Sequence, residues 1–173
     1  MGDSETVHVG ALSAQFENIL LPFGLTVDRM TLTAKEASAQ LEPFSLEMDQ
    51  PASVEAIVHE SSLEKFVRLK APDNVRIESV VVRPEGIMVE AVVRVLLEFR
   101  GIAKCRLRVD GGSRLMVELV DVDVLGVGAK GLVQNQIEGM NPVLDTATLP
   151  FQITLHEAKL EHGFVRVTGE ALP

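Results

Sequence analysis

The sequence predicts a β-dominated α+β fold in which a long, curved antiparallel sheet wraps around two or three amphipathic helices. Three observations support this prediction. Apolar residues repeat with one strand-like spacing in three parts of the chain, glycine-containing turns follow two of these repeats, and three other segments have helical periodicity. The 173 residues suit a single domain, 1–173, because no low-complexity linker divides them.

The repeat consists of apolar positions separated by two, three and two residues. It occurs three times: Leu25, Val27, Met30 and Leu32; Val75, Ile77, Val80 and Val82; and Ile153, Leu155, Ala158 and Leu160. A step of two keeps side chains on one face of a strand, whereas a step of three changes the face or inserts a bulge, so each run predicts a bent strand. An alternating apolar run resumes five residues later each time. Pro84-Glu85-Gly86 and Glu161-His162-Gly163 predict hairpin turns in two of these gaps, and Ala34-Lys35-Glu36 fills the third.

More antiparallel sheet is predicted between the second and third repeats. Every odd residue of 87–99 is apolar, and 101–110 continues the alternation. Asp110-Gly111-Gly112 then predicts a turn into 113–125. A two-residue loop would shift the apolar positions by one, so we expect a three-residue loop. That loop pairs apolar residues throughout: Leu115 with Val109, Val117 with Leu107, and Leu119 with Cys105.

Three segments, 11–21, 62–70 and 129–140, have the spacing of amphipathic helices. Their apolar faces are formed by Leu12, Phe16, Ile19 and Leu20; by Leu63, Phe66 and Val67; and by Leu132, Val133, Ile137 and Met140. Ser62 is the expected N-cap of the second helix, and Pro72 and Pro142 end the last two. Region 1–50 is therefore expected to contain a helix and a hairpin. The first helix lacks a Lys/Arg face, so we expect it to pack on the core or on a second subunit.

Composition argues against several classes of function. The net charge of −9 and the absence of Trp and Tyr are unfavourable for binding nucleic acid. A single cysteine, Cys105, permits neither an intramolecular disulfide nor a cysteine-based metal cage. No apolar run approaches the roughly 18 residues needed to span a bilayer. No signal peptide is visible, so the expected location is cytoplasmic, with the cell envelope as the alternative if a signal was removed.

No motif indicates catalysis, a metal or a cofactor. Gly126–Gly131 matches GxGxxG, the pattern of a nucleotide-dependent enzyme. The neighbouring strands are expected to be antiparallel and Asp145 lies in the wrong context for a ribose, so a flexible strand-to-helix corner is favoured. Cys105 is expected to behave as a small hydrophobe. The four histidines are isolated, and we expect them at the surface or in turns: His8, His59, His156 and His162.

Basic residues alternate along one predicted strand, at Lys104, Arg106 and Arg108, with three further arginines nearby at positions 94, 100 and 114. One interpretation is a stripe that meets anionic headgroups. The other is a solvated face on which carboxylates of adjacent strands neutralise the charges, and cross-strand pairing of this kind is common. The expected carboxylates are Glu90, Glu98 and Glu118.

Several of these elements together resemble the LmeA-like family of phospholipid-binding proteins over residues 60–172. The resemblance is carried by Val75-x-Ile77-x-x-Val80-x-Val82, Gly86-Ile87-x-Val89, Val120-x-Val122-x-Val124-x-Gly126, Asn141-Pro142, Leu149-Pro150-Phe151 and Gly163-x-Val165-x-Val167-x-Gly169. That family is similar in turn to the tubular lipid-binding, or BPI-like, proteins, in which a curved antiparallel sheet wraps a helix and encloses an apolar groove for acyl chains. The resemblance implies a family-like core over 51–173 and offers no catalytic residues.

The sequence thus leads to the hypothesis of a non-enzymatic lipid-binding or carrier protein without cofactor or metal. Phospholipid or another apolar acyl ligand would lie between the sheet and helices 62–70 and 129–140, with peripheral contact to a membrane as a further expectation. The expected lining residues are Leu63, Phe66, Val67, Leu132, Ile137 and Met140. The alternative is a structural or interaction module whose apolar face is filled by its own core or by homodimerisation.

Overall fold

Antiparallel strands form most of the chain, which confirms the predicted β-dominated class. The structure is a computed structural model that describes residues 6–41, 44–48, 50–94, 96–124, 129–149 and 152–172. Within these residues there are two α-helices, α1 (Glu60–Lys70) and α2 (Ala129–Met140), and a 3-10 turn at Thr146–Thr148. The strands are β1 (Thr6–Val9), β2 (Leu12–Leu20), β3 (Thr26–Ala34), β4 (Ala37–Leu41), β5 (Phe44–Met48), β6 (Ala52–His59), β7 (Val75–Arg83), β8 (Gly86–Arg94), β9 (Glu98–Asp110), β10 (Arg114–Val124), β11 (Leu144–Asp145), β12 (Ile153–Glu161) and β13 (Phe164–Ala171).

The strands form two five-stranded antiparallel sheets and a three-stranded extension. The first sheet has the order β11-β10-β9-β8-β7, the second β12-β13-β6-β3-β2, and the extension β1-β4-β5. The extension prolongs the second sheet, because the β2–β3 pairing continues without a change of register from Leu12 opposite Ala34 to Val9 opposite Ala37. Together the strands make a curled antiparallel half-barrel.

Strand β12 crosses one end of the first sheet. The Leu155 N–H donates to the Gly112 carbonyl at 2.6 Å in the turn after β9, and the Gly163 N–H donates to the Val82 carbonyl at 3.0 Å near the end of β7. Both acceptors lie at the same end of the first sheet, so this end is closed by the second sheet. Val80 and Val82, the largest fully buried side chains, lie towards this closed end on β7.

The steps of three residues in the second and third repeats are β-bulges, whereas β3 pairs with β2 without a shift of register across its own step from Val27 to Met30. The pairing of β7 with β8 shifts between Ile77 and Ser79, and that of β12 with β13 shifts between Leu155 and Glu157. A bulge inserts one extra residue, so the apolar residues before and after it stay on the same face while the strand bends. The predicted bent strands and their turns at Pro84–Gly86 and Glu161–Gly163 are confirmed.

A third β-bulge, which was not predicted from the sequence, occurs in β10. The pairing of β10 with β9 shifts between Leu119 and Asp121. The predicted three-residue loop before β10 is confirmed, as are the predicted pairs of Leu115 with Val109 and of Val117 with Leu107. Leu115 and Val117 before the shift and Val122 after it therefore lie on the same, concave face.

The first repeat does not form the predicted hairpin between 25–32 and 37–41. After Ala34 the chain continues in the same direction into β4, and the hairpin partner of β3 is β2. The linker Lys35-Glu36 has no glycine to adopt the positive φ of a tight reversal, in contrast to the turns after β7 and β12.

The predicted helix over 11–21 is wrong, because this segment is strand β2. Leu12, Phe16 and Ile19 fit helical spacing, but they fit equally a strand whose apolar face is interrupted by a step of three. Asn18, with φ of 54°, marks the interruption. The strand is favoured over the helix because this segment forms backbone hydrogen bonds with β3 along its length. In the strand, Leu20 is exposed.

The other two helices are confirmed, and α2 has the predicted bounds. Helix α1 begins at Glu60, so Ser62 lies inside its first turn and is not the N-cap. The acceptor comes from β3 instead: the Asp28 carboxylate accepts from the His59 N–H at 2.6 Å and from the Ser62 hydroxyl at 2.8 Å. Because Asp28 is distant in sequence, local pattern could not reveal this cap.

Replacing Asp28 with Ala should lower the free energy of unfolding by about 1–2 kcal/mol, because the start of α1 loses its anionic acceptor. Urea denaturation followed by circular dichroism would measure the change. Asp28→Asn, which keeps one oxygen acceptor without the charge, should lose less. Equal stability of Asp28→Ala and the unaltered protein would contradict this account of the cap.

Candidate functional site

A large cavity lies between the concave faces of the two sheets and the two helices. Its volume is about 1200 Å³, above the roughly 300–1000 Å³ of sites for drug-sized ligands. Residues from α1, α2 and most of the long strands contribute to its wall. The bulges of β7, β10 and β12 contribute to this wall, because they keep the apolar residues before and after each bulge directed to the same space.

The wall is almost entirely hydrocarbon. Among the described residues that line it, the only polar side chains other than the Cys105 thiol are Asn74, Gln136 and Thr168, and none carries a formal charge. Such a wall cannot pair a buried charge, and burying an unpaired charge is strongly unfavourable. The space therefore suits an apolar molecule, or the apolar part of an amphipathic one.

All six residues that the sequence analysis selected lie on the cavity wall. Leu63, Phe66 and Val67 reach it from α1, and three residues reach it from α2, namely Leu132, Ile137 and Met140. Phe66 and Ile137 are buried, whereas Leu132 is 61% exposed although it lines the cavity. The α2 side of the cavity thus borders solvent.

Sequence reasoning missed the contribution of the N-terminal strands. Phe16 and Ile19 of β2, Met30 and Leu32 of β3, and Met48 of β5 all line the cavity. The available signal was the step of three from Phe16 to Ile19, which repeats the spacing seen in β7 and β12.

Helix α1 is held against the second sheet by aromatic and apolar contacts. The Phe23 ring, in the turn after β2, packs edge-on against Phe66 with 6.2 Å between centroids. Gly24, next in the chain, has φ of +98°, and a Cβ at this position would lie 2.6 Å from the Leu69 side chain. The turn can approach α1 this closely because residue 24 is a glycine.

Asn141 attaches the end of α2 to β10. Its Oδ1 accepts from the Val117 N–H and its Nδ2 donates to the Val117 carbonyl, both at 2.8 Å. The Asn141 amide thus takes the place of a neighbouring strand at the backbone of Val117. Strand β11 then pairs with β10 directly, with Leu144 opposite Leu115. This attachment positions α2 at the cavity.

Asn141→Ala should lower the free energy of unfolding by about 2 kcal/mol, because two half-buried backbone groups of Val117 lose their partners. Asn135→Ala, at an exposed position of α2, is the matched control and should change stability little. Thermal and urea unfolding would measure both. A loss of the same size in both variants would show that the Asn141 amide has no special role.

Cys105 lies on the cavity wall and is buried. Burial raises the pKa of its thiol from 9.0 to about 11, because the thiolate would lose its hydration. The thiol contributes stability below pH 9 that is lost as the pH rises towards 11, since the unfolded chain ionises first. The prediction that Cys105 behaves as a buried hydrophobe is confirmed.

Alkylation of Cys105 by iodoacetamide should stay slow in the folded protein at pH 9 and accelerate towards pH 11, whereas the urea-unfolded chain should react with an apparent pKa near 9. The chain has one cysteine, so mass spectrometry reads the reaction without ambiguity. Equal rates at pH 9 for folded and unfolded protein would show that the wall of the cavity is open to the reagent at this point.

The convex face of the first sheet carries paired charges. Arg106 and Arg108 donate to Glu118 at 2.7 and 2.6 Å, which lowers the pKa of that carboxyl. Arg94 contacts Glu98 at 2.6 Å, and Arg100 lies 3.6 Å from Glu90. The three expected carboxylates therefore do pair with arginines of this basic set. Two further carboxylates also take part: Asp110 lies 2.7 Å from Arg108, and Asp145 lies 3.6 Å from Arg114.

The remaining candidate motifs do not contribute to the site. The four histidines are exposed, as predicted. Gly126 and Gly128 of the GxGxxG pattern, and Pro150 and Phe151 of the Leu-Pro-Phe motif, lie outside the described residues. In the part that is described, no group of three or more His, Cys, Asp or Glu is arranged to hold a metal ion, and neither helix is long and apolar enough to cross a membrane.

Comparison of the chain with protein-family models, with curated proteins and with solved structures gave no match. The resemblance to the LmeA-like family therefore stays a prediction from the residues quoted for it, and the cavity is the feature from which a function is inferred.

Proposed function

We propose that this protein binds or carries a lipid, a phospholipid or another molecule with acyl chains, inside the cavity of its curled sheet. The observation that carries the proposal is the combination of size and chemistry. The cavity measures about 1200 Å³, and no charged side chain lies on its described wall. The resemblance to the LmeA-like family of phospholipid-binding proteins supports the same assignment.

The chemistry of the space argues that an apolar molecule fills it. The wall offers few polar groups to water inside, although a buried water needs two to four polar partners. Transfer of acyl chains from water onto an apolar wall is favourable by roughly 25 cal/mol per Å² of apolar surface buried. Acyl chains also require no hydrogen bonds from the wall.

The wall also indicates how a lipid would lie. A charged or zwitterionic headgroup has no partner inside, so it stays at the opening, while the chains occupy the interior. Three residues that line the cavity are also exposed to solvent: Phe16, Phe99 and Leu132. Apolar side chains therefore lie where the interior meets solvent.

Binding rather than catalysis is proposed because the described wall offers no general acid or base. The Cys105 thiol, with a pKa of about 11, remains protonated at neutral pH and is a poor nucleophile.

Native mass spectrometry of the freshly purified protein, followed by organic extraction of the same sample, is the direct test. We expect a bound mass that extracts as an acyl lipid, or uptake of lipid from added phosphatidylcholine vesicles. A mass equal to the polypeptide alone, together with no uptake, would exclude the proposal. An oligomer of lipid-free chains would instead favour the structural or interaction module, in which a second copy covers the apolar face.

The variant Ala91→Phe/Ala103→Phe should reduce lipid uptake to less than about half while the protein stays folded, because both alanines line the cavity and the rings occupy its volume. Met88→Phe, on β8 and outside the lining set, is the matched control and should retain full uptake. Quantitative lipid extraction at equal protein concentration measures the difference. Unchanged uptake in the double variant would place the ligand elsewhere.

A further inference from the structure

The turn between β8 and β9 carries exposed leucines at its tip. Leu96 is 95% exposed and Leu97 is 69% exposed, between Arg94 and Glu98, which are paired across the hairpin. We call these two leucines the apolar tip. Two adjacent large apolar side chains that remain in water leave unused the favourable free energy that burial against a partner would provide.

The apolar tip is continuous with the cavity. Phe99, two residues beyond the tip, lines the cavity and is paired with Val93, which also lines it. The turn lies at the opposite end of the first sheet from the end that β12 crosses. The Arg94 N–H donates to the Asn74 carbonyl at 2.8 Å, so the connection after α1 also borders this end.

The charges beside the apolar tip are compensated. Arg94 lies 2.6 Å from Glu98, and Arg100 lies 3.6 Å from Glu90, so these arginines offer little net attraction to an anionic surface. The chain as a whole carries a net charge of −9, which opposes anionic surfaces further. Any attraction at this point is therefore hydrophobic.

We propose that the apolar tip inserts into the interfacial region of a lipid bilayer and places this end of the cavity, where Phe99 is exposed, against the membrane. This inference deepens the proposed function and rests on it. A bilayer is favoured as the partner because Leu96 and Leu97 lie at the end of a hairpin, just beyond the paired residues Arg94 and Glu98. A soft apolar medium accommodates such a shape without a preformed recess, and the same medium contains the molecules that suit the cavity.

The proposal predicts an unusual lipid preference. Because insertion is hydrophobic and the flanking charges are compensated, binding to phosphatidylcholine vesicles should be insensitive to salt between low and physiological ionic strength. Replacing part of the phosphatidylcholine with phosphatidylserine should not strengthen it, given the net charge of −9.

Vesicle flotation tests the proposal with the full chain. The variant Leu96→Glu/Leu97→Glu should reduce partitioning onto phosphatidylcholine vesicles at least about tenfold, since carboxylates resist transfer into the interface. The control Val7→Glu/Val120→Glu adds the same charge at exposed apolar positions of β1 and β10, which are not in the β8–β9 turn, and should float like the unaltered protein. Circular dichroism and thermal unfolding confirm that both variants are folded.

Loading with a water-dispersed fluorescent fatty acid separates this inference from the proposed function. The tip variant should take up the probe normally in the absence of vesicles while failing to float. If the unaltered protein takes up the probe but does not float, or if both double variants float equally well, the apolar tip is not a membrane contact and the proposed function stands. If the unaltered protein takes up neither the probe nor lipid from phosphatidylcholine vesicles, and carries no bound lipid, the proposed function fails. A dimer that the tip variant converts to a monomer would make the tip a self-association surface and overturn the inference.

Discussion

The concave face of the curled sheet has more apolar surface than helices α1 and α2 can cover. The cavity and the partial exposure of its lining residues follow from this constraint. Helices of 11 and 12 residues extend only about 18 Å, whereas β9, with 13 residues, extends about 43 Å. A filled core would need more helix or larger side chains. The uncovered apolar surface encloses the cavity, and it accounts for lining residues such as Leu132 and Phe99 that are partly exposed.

The two faces of the first sheet have opposite chemistry, and each limits what the protein can bind. Glu118 and Asp110 compensate Arg106 and Arg108 on the convex face, so these basic residues provide hydrogen bonds between strands and little free charge. The concave face provides hydrocarbon without ionic partners. Under the proposed function, recognition of a ligand would therefore depend on shape and apolar area, which suits a class of acyl molecules better than one defined headgroup.

Local patterns sufficed for those elements whose partners are near in sequence. The hairpins at Pro84–Gly86 and Glu161–Gly163, the three-residue loop after Asp110, and α2 over 129–140 follow from alternation, glycine and helical spacing. The 11–21 segment was predicted wrongly because a strand with a step of three shares positions 12, 16 and 19 with a helix. Only the pairing of this segment with β3 distinguishes a strand from a helix, and that pairing is a tertiary contact.

The sequence by itself determined the class of the fold, the positions of the bulges in β7 and β12, and the apolar side chains of α1 and α2 that face inward. Those properties depend on periodicity, which each segment carries alone. The tertiary structure alone decided that the inward face encloses a space instead of a filled core, that Asp28 caps α1, and that Asn141 attaches α2 to β10. The physical reason is that a filled core and a cavity require the same apolar spacing. Whether side chains meet across the interior depends on the curvature of the sheet and the reach of the helices, which are properties of the assembled chain.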